Sequence, residues 1–147
     1  MKISTSTILL TTFLSTLVLS SSTGAAESTG SNDVTLKIVM QGLLEDSIKI
    51  NKGIFLEDFS MIETAADRVA NHPAPPMATK RKLMTSLGFE MRKFKASDTI
   101  VHDLAVEIGQ AAQKENMGAV VVKYHELLDG CLSCHEEFKA RVSTILE

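Results

Sequence analysis

Residues 117–142 read MGAVVVKYHELLDGCLSCHEEFKARV, and this stretch decides the predicted fold. Apolar side chains recur in it every three or four residues, which is the spacing of one face of an α-helix. The predicted face consists of Met117, Val120, Tyr124, Leu127, Cys131, His135, Phe138 and Val142. Cys134 borders that face. Both cysteines of the chain and the histidine that follows them therefore belong to one helix near the C-terminus.

The same helical spacing runs through the preceding part of the chain, and strand-like alternation is not found. The predicted helical segments are 33–52, 55–71, a third region that starts near Thr79, and 117–142. Short connections between amphipathic helices favour antiparallel neighbours that bury their apolar stripes against one another. The sequence therefore predicts an all-α fold, an antiparallel four-helix bundle.

Capping residues, glycines and prolines mark the expected helix ends. We expect Asp33 to cap the first helix and Gly53 to close it. All three prolines lie within NHPAPP, residues 71–76, and the residue before a proline is pushed out of the helical region. The second helix should end there. The other expected breaks and caps lie at Gly88 or Ala96, at Ser97–Asp98 and at Asn116.

The N-terminal stretch has the pattern of a secretory signal. Lys2 precedes an apolar run from about residue 8 to 19, and small residues follow. That run is shorter than the roughly 20 residues of a membrane-spanning helix. We expect cleavage near Ala26, so that 1–26 is a signal peptide, 27–32 a polar leader and 33–147 a single domain. The predicted location is the periplasm.

Composition excludes several classes of function. The formal net charge is −3, and −4 once Lys2 is removed with the signal, while aromatic residues make up 5% of the chain. Scattered basic residues and few aromatics give no indication of nucleic-acid binding, and no other stretch predicts stable membrane insertion. Glu136 and Glu137 adjoin His135, but neighbouring helix positions point to different sides. We therefore predict no enzyme active site.

Two cysteines three apart, followed by a histidine, allow three kinds of site. A zinc site needs a fourth ligand and usually has its histidines spaced away from the cysteine pair. A redox disulfide usually opens a helix in a βαβ setting. Covalent haem attachment uses CxxCH itself: Cys131 and Cys134 form thioethers with the vinyl groups, and His135 binds the iron. Export and the absence of other cysteines favour one covalent haem c.

The motif and its position in the last predicted helix resemble those of a known family. Four predicted helices with CLSCHEEF, residues 131–138, in the last one are similar to the class II c-type cytochromes, cytochrome c-prime and its low-spin relatives. The resemblance covers roughly residues 33–142 and implies that the haem is attached to the last helix of a four-helix bundle. Phe138 and Lys139 fit the family's pattern. Lys37 is the only basic residue where many relatives carry an arginine early in the first helix.

The second axial position has several candidate ligands. Met40 is centred in the predicted stripe of the first helix between Leu36 and Leu43, and the resemblance implies that this helix passes over the distal face of the haem. We expect Met40 to bind the iron; the alternative is a core methionine beside the haem. The candidates that we expect to lie on the surface or in the core instead are His72, His102, His125, Met61, Met84 and Met91.

Two functions follow from these expectations. With His135 and Met40 as axial ligands, the protein would be a periplasmic electron carrier whose partners are redox proteins. With an open distal site, it would be a five-coordinate protein that binds nitric oxide or carbon monoxide, as the resemblance to cytochrome c-prime implies. The sequence does not decide between a monomer and a homodimer.

Overall fold

The computed structural model describes residues 35–146, and these form helices and turns without any β-strand. The helices are α1 (Leu36–Leu56), α2 (Phe59–Ala70), α3 (Met77–Leu87), α4 (Met91–Gln113), α5 (Met117–Cys134) and α6 (Ala140–Leu146). A 3-10 turn (Gly88–Glu90) joins α3 to α4, and a π-helical turn (His135–Lys139) joins α5 to α6. The predicted all-α class is confirmed. The predicted signal peptide (1–26), the leader (27–32) and the cap at Asp33 lie outside the described residues.

Side-chain caps explain where three helices begin. The oxygens of Thr35, Asp58 and Asn116 accept hydrogen bonds from backbone N–H groups in the first turns of α1, α2 and α5. Such caps satisfy backbone donors that have no partner within the helix. The predicted cap at Asn116 is confirmed, with its Oδ1 atom 3.1 Å from the nitrogen of Ala119.

Two predicted helix ends are wrong. Gly53 was expected to close α1 but lies inside it, where α1 presses against α2: a Cβ atom on Gly53 would lie 2.6 Å from Cγ1 of Ile62. The helix ends instead at Glu57, which adopts a left-handed conformation. Ser97 was expected to start a new helix but lies within α4, where its hydroxyl donates to the carbonyl of Lys93. The break predicted at Gly88 is confirmed by its positive φ of 53°.

The helices pack in pairs around two separate hydrophobic clusters. Helix α1 contacts α2, α2 contacts α4, α4 contacts α5, and α3 contacts α6. The first cluster draws on α1, α2, α4 and α5 and ends on α5 at Leu127. The second consists of Leu36, Leu83, Leu87, Phe138 and Val142, with Cys134 packed against it. The segment of α5 that contains Cys131 therefore lies between the two clusters.

One charged residue, Asp46, is buried in α1. It is only 9% exposed. Its carboxylate accepts a hydrogen bond from Nε of Arg68 on α2 at 2.8 Å and one from Nζ of Lys49 at 3.1 Å. A buried charge is tolerated when it is paired in this way. Asp46 thus fixes α1 to α2.

Within residues 35–146, no helix combines the length and the apolar character that crossing a membrane requires.

Candidate functional site

The CxxCH motif lies where the helical geometry of the chain changes. Cys131 and Cys134 are in the last turn of α5, and His135 is the first residue of the π-helical turn. Single π-helical turns inside helices are rare and often occur at functional sites. Both cysteines are half-buried, whereas His135 is exposed. The helical spacing had predicted His135 within the buried stripe, and this is wrong.

The π-helical turn and the neighbouring ion pair explain the exposure of His135. Phe138, only 1% exposed, occupies the second cluster, and its ring meets that of Phe94 edge to face at a centroid distance of 5.4 Å. Lys93 Nζ lies 2.6 Å from a carboxylate oxygen of Glu137, which ties the turn to α4. With Phe138 held inward and Glu137 held towards α4, the imidazole of His135 is left at the surface.

Burial affects both thiols of the motif in the same direction. They are not joined in a disulfide. Burial raises the pKa of the Cys131 thiol, and the nearby Cys134 raises it further. Burial likewise raises the pKa of Cys134, although a hydrogen bond with Ser97 opposes the shift. A thiol–disulfide oxidoreductase needs the opposite, a lowered thiol pKa.

Met40 on α1 and the CxxCH motif on α5 lie at about the same height along the two helices. The Tyr124 hydroxyl donates a hydrogen bond to the backbone oxygen of Ser47 at 3.1 Å, while Leu36 shares the second cluster with Phe138. The order of contacts along α1 is therefore opposite to that along α5. Met40 precedes Ser47 by seven residues and Cys131 follows Tyr124 by seven, a rise of about 10 Å on each helix.

Met40 is not at the centre of the buried face of α1, as the sequence had suggested, but at its edge. Its side chain is 39% exposed, whereas Val39 is 3% exposed and Ile50 is fully buried. The buried face is rotated because Asp46 and Gly53 contact α2. A side chain at the edge of the buried face retains access both to solvent and to the space beside α5.

The other candidate axial ligands are two histidines held in polar contacts, one exposed histidine and three methionines. Nδ1 of His102 lies 2.8 Å from the backbone oxygen of Ala70, and Nε2 of His72 lies 3.2 Å from Asp98. These contacts hold the end of α2 and its following loop against α4. The positions of the remaining candidates are as follows: His125 is exposed, Met84 is 60% exposed rather than in the core, and Met61 and Met91 are half-buried.

A surface groove of about 370 Å³ borders the motif on one side. Its lining includes Ser97 and Ile100 from α4, and Gly130 and Ser133 from α5. At 100° per residue, Gly130 and Ser133 lie about 140–160° around α5 from His135. The groove is therefore on the opposite flank of α5 from the imidazole.

The donors of the motif are of the kinds that covalent haem attachment uses. Among residues 35–146, no group of three or more His, Cys, Asp or Glu side chains is placed to hold a metal ion. A closed zinc site needs four such donors. Haem iron takes four of its ligands from the porphyrin, so the protein must supply only thiols for attachment and axial donors. Cys131, Cys134 and His135 provide these groups on one short stretch of helix.

The structure adds residues that sequence reasoning missed. The π-helical turn has no recognisable sequence signal, because HEEFK is equally compatible with an α-helix. The pairing of Lys93 with Glu137 and the contact of Cys134 with Ser97 join residues about forty positions apart, so helical spacing could not reveal them. Together these contacts position the motif against α4.

Comparison with known proteins adds no relative. No protein-family model, no curated protein and no solved structure matches the chain. Functional inference therefore depends on the motif and on its surroundings in the fold.

Proposed function

We propose that this chain is a periplasmic monohaem c-type cytochrome that carries electrons. In this proposal, Cys131 and Cys134 hold one haem through thioether bonds, His135 is the proximal iron ligand, and Met40 is the distal ligand. The chain has no other cysteines, so covalent attachment must use this pair. Redox proteins are the proposed partners.

The observation that carries the proposal is the setting of CxxCH in the fold. The motif sits at the junction of α5 with a π-helical turn, between two hydrophobic clusters. Its thiols are half-buried, burial raises the pKa of both, and the imidazole of His135 is exposed. Two neighbouring thiols beside a histidine that is free of a core role are what covalent haem attachment requires of the chain.

Each residue has a distinct role in the proposed site. Cys131 and Cys134 fix the position of the cofactor and prevent its loss. Glu137 follows His135 by two residues, and its ion pair with Lys93 restricts how far the imidazole can move. The bound haem would supply reversible one-electron oxidation and reduction of its iron, and a methionine ligand raises the potential.

The proposed architecture is an antiparallel bundle of α1, α2, α4 and α5. Support comes from the pairwise packing of consecutive members and from the opposite order of contacts along α1 and α5. The short connections between α1 and α2 and between α4 and α5 favour the same arrangement. Helix α3 would then be an insertion between the second and third members, and α6 an extension of the fourth.

A second candidate function is favoured by the exposure of Met40. A side chain that is 39% exposed at the edge of the buried face can leave the distal position open. The protein would then be five-coordinate and would bind nitric oxide or carbon monoxide. The absorption spectrum with and without carbon monoxide separates the two functions. A low-spin spectrum that ignores the gas supports the electron carrier, and a high-spin spectrum that shifts supports gas binding.

The attachment itself is tested by exporting the chain in a host with haem-maturation machinery and extracting it with acidified acetone. We expect one haem to remain with the protein and to be released in the double variant Cys131→Ala/Cys134→Ala. Ser133→Ala is the matched control, since it alters the exposed residue between the cysteines and leaves CxxCH intact. Retention of haem by the double variant, or a wild-type protein that contains zinc and no haem, would refute the proposal.

A further inference from the structure

A strongly basic segment extends from α3 into the start of α4. Residues 77–96 contain six basic residues and one acidic residue, a net charge of +5. The other described residues contain eight basic and fourteen acidic residues, a net charge of −6. The described part of the chain is therefore electrically asymmetric, although its overall charge is close to zero.

Most of these cations have no ion-pair partner among residues 35–146. Within residues 35–146, Lys93 is paired with Glu137, and the single acidic residue of the segment, Glu90, is paired with Arg141. No ion pair within the same residues involves the other five cations, which are Lys80, Arg81, Lys82, Arg92 and Lys95. All but the half-buried Lys80 are exposed. Their charge is free to act on something outside the chain.

Large apolar side chains project from the same segment. Phe89 is 97% exposed on the 3-10 turn that follows Gly88, and Met77 and Met84 on α3 are 62% and 60% exposed. At 100° per residue, Met77, Arg81 and Met84 lie within about 60° of one another on α3. Leu83 and Leu87, on the other side of α3, are buried in the second cluster. The exposed apolar groups are thus held outward among the cations.

We infer that this basic apolar face, formed by Met77, Lys80, Arg81, Met84, Phe89, Arg92 and Lys95, docks on the surface of an anionic lipid membrane. Cations near such a surface are attracted to its lipids, and exposed aromatic and methionine side chains can enter the headgroup region. The acidic remainder of the chain is repelled by the same surface. Attraction and repulsion together select one orientation.

The form of the face favours lipid over an acidic protein. A phenylalanine that is almost wholly exposed on a turn needs a matching pocket in a protein partner, whereas the headgroup region accepts it without one. In the sequence, cations precede Phe89 in α3 and follow it in α4. The inference concerns peripheral docking of the folded chain and does not depend on the haem proposal.

Vesicle binding of the exported chain tests the inference. Phosphatidylcholine vesicles containing phosphatidylglycerol should bind the protein, pure phosphatidylcholine vesicles should not, and added salt should weaken the binding. Phe89→Ser should lower the partition coefficient about tenfold, because it removes the protruding ring. Phe55→Ser is the matched control: Phe55 is 81% exposed at the end of α1, beside Glu57 and Asp58, and its loss should change nothing.

The charges are tested separately. Arg81→Gln and Lys95→Gln should each weaken binding to the anionic vesicles about fivefold, and Lys114→Gln, outside the segment, should not. Equal binding to neutral and anionic vesicles, or equal effects of Phe89→Ser and Phe55→Ser, would overturn the inference. So would binding to a polyglutamate peptide without binding to vesicles, which would assign the face to an acidic protein.

Discussion

The Tyr124 hydroxyl donates a hydrogen bond to the backbone oxygen of Ser47, 3.1 Å away, and lies 3.3 Å from the Ser47 hydroxyl. Tyr124 is on α5 and Ser47 is on α1, so this contact joins the helix that carries CxxCH to the helix that carries Met40. The contact also fixes the position of α1 along α5, so that Met40 and Cys131 lie at about the same height on the two helices. The geometry of the proposed haem site therefore depends on a contact outside it.

Tyr124→Phe should destabilise the fold slightly. The ring stays buried, but the hydrogen bond to the backbone oxygen of Ser47 is lost, which lowers the free energy of unfolding by about 1 kcal/mol. Urea denaturation measures the change. His125→Gln, at the exposed neighbouring position, is the control and should have no effect. A Tyr124→Phe midpoint equal to that of the wild type would show that the contact does not stabilise the fold.

Two glycines of α1 should respond in opposite ways to alanine. At Gly53, the new methyl group would lie 2.6 Å from Cγ1 of Ile62, so α1 and α2 must separate, and we expect a loss of about 1–3 kcal/mol. At Gly42, nothing lies within 4 Å of the new methyl group, and the better helix propensity of alanine should add about 0.5–1 kcal/mol. Thermal unfolding of both variants checks this pair. Equal effects at the two positions would contradict the described α1–α2 packing.

Sequence reasoning could predict the features of the fold that local chemistry determines. The cap at Asn116 and the break at Gly88 follow from the preferences of those residues, and both are confirmed. The all-α class follows in the same way, because helical spacing extends over most of the chain. The motif was identified from its own residue order. None of these predictions required knowledge of a distant contact.

The errors arise where a distant contact overrides a local preference. Gly53 resembles a helix end but is required by the close approach of Ile62, and Asp46 resembles a surface residue but is neutralised by Arg68. The burial of Asp46 and Gly53 also rotates the face of α1, which moves Met40 from the predicted centre to the edge. His135 is exposed although helical spacing predicted its burial, and the π-helical turn, which begins at this residue, changes the spacing of the residues that follow it.

The thiols should react slowly with alkylating agents in chains produced without haem. Burial raises the pKa of both Cys131 and Cys134, so the thiolate that reacts with iodoacetamide is scarce near neutral pH and increases only at a pH above the ordinary thiol range. The rate of alkylation followed against pH measures this. The same chain in urea is the control, since its exposed thiols should show an ordinary pKa. If alkylation of the folded chain increased at a lower pH than alkylation of the chain in urea, the result would favour a redox-active pair instead.

Met40→Ala should separate the two proposed functions. If the sulfur of Met40 binds the iron, the variant should change from low-spin to high-spin, bind carbon monoxide readily and have a lower reduction potential. The fold should persist, because Met40 is 39% exposed and the neighbouring Val39 and Ile50 keep α1 in place. Met84→Ala is the control: Met84 is an exposed methionine on α3, and its removal should leave the spectrum unchanged. If Met40 does not bind the iron, the wild type should already be high-spin and reactive with the gas. A low-spin spectrum that survives Met40→Ala would exclude Met40 as the ligand and leave Met91, which is half-buried at the start of α4, as the next methionine to test.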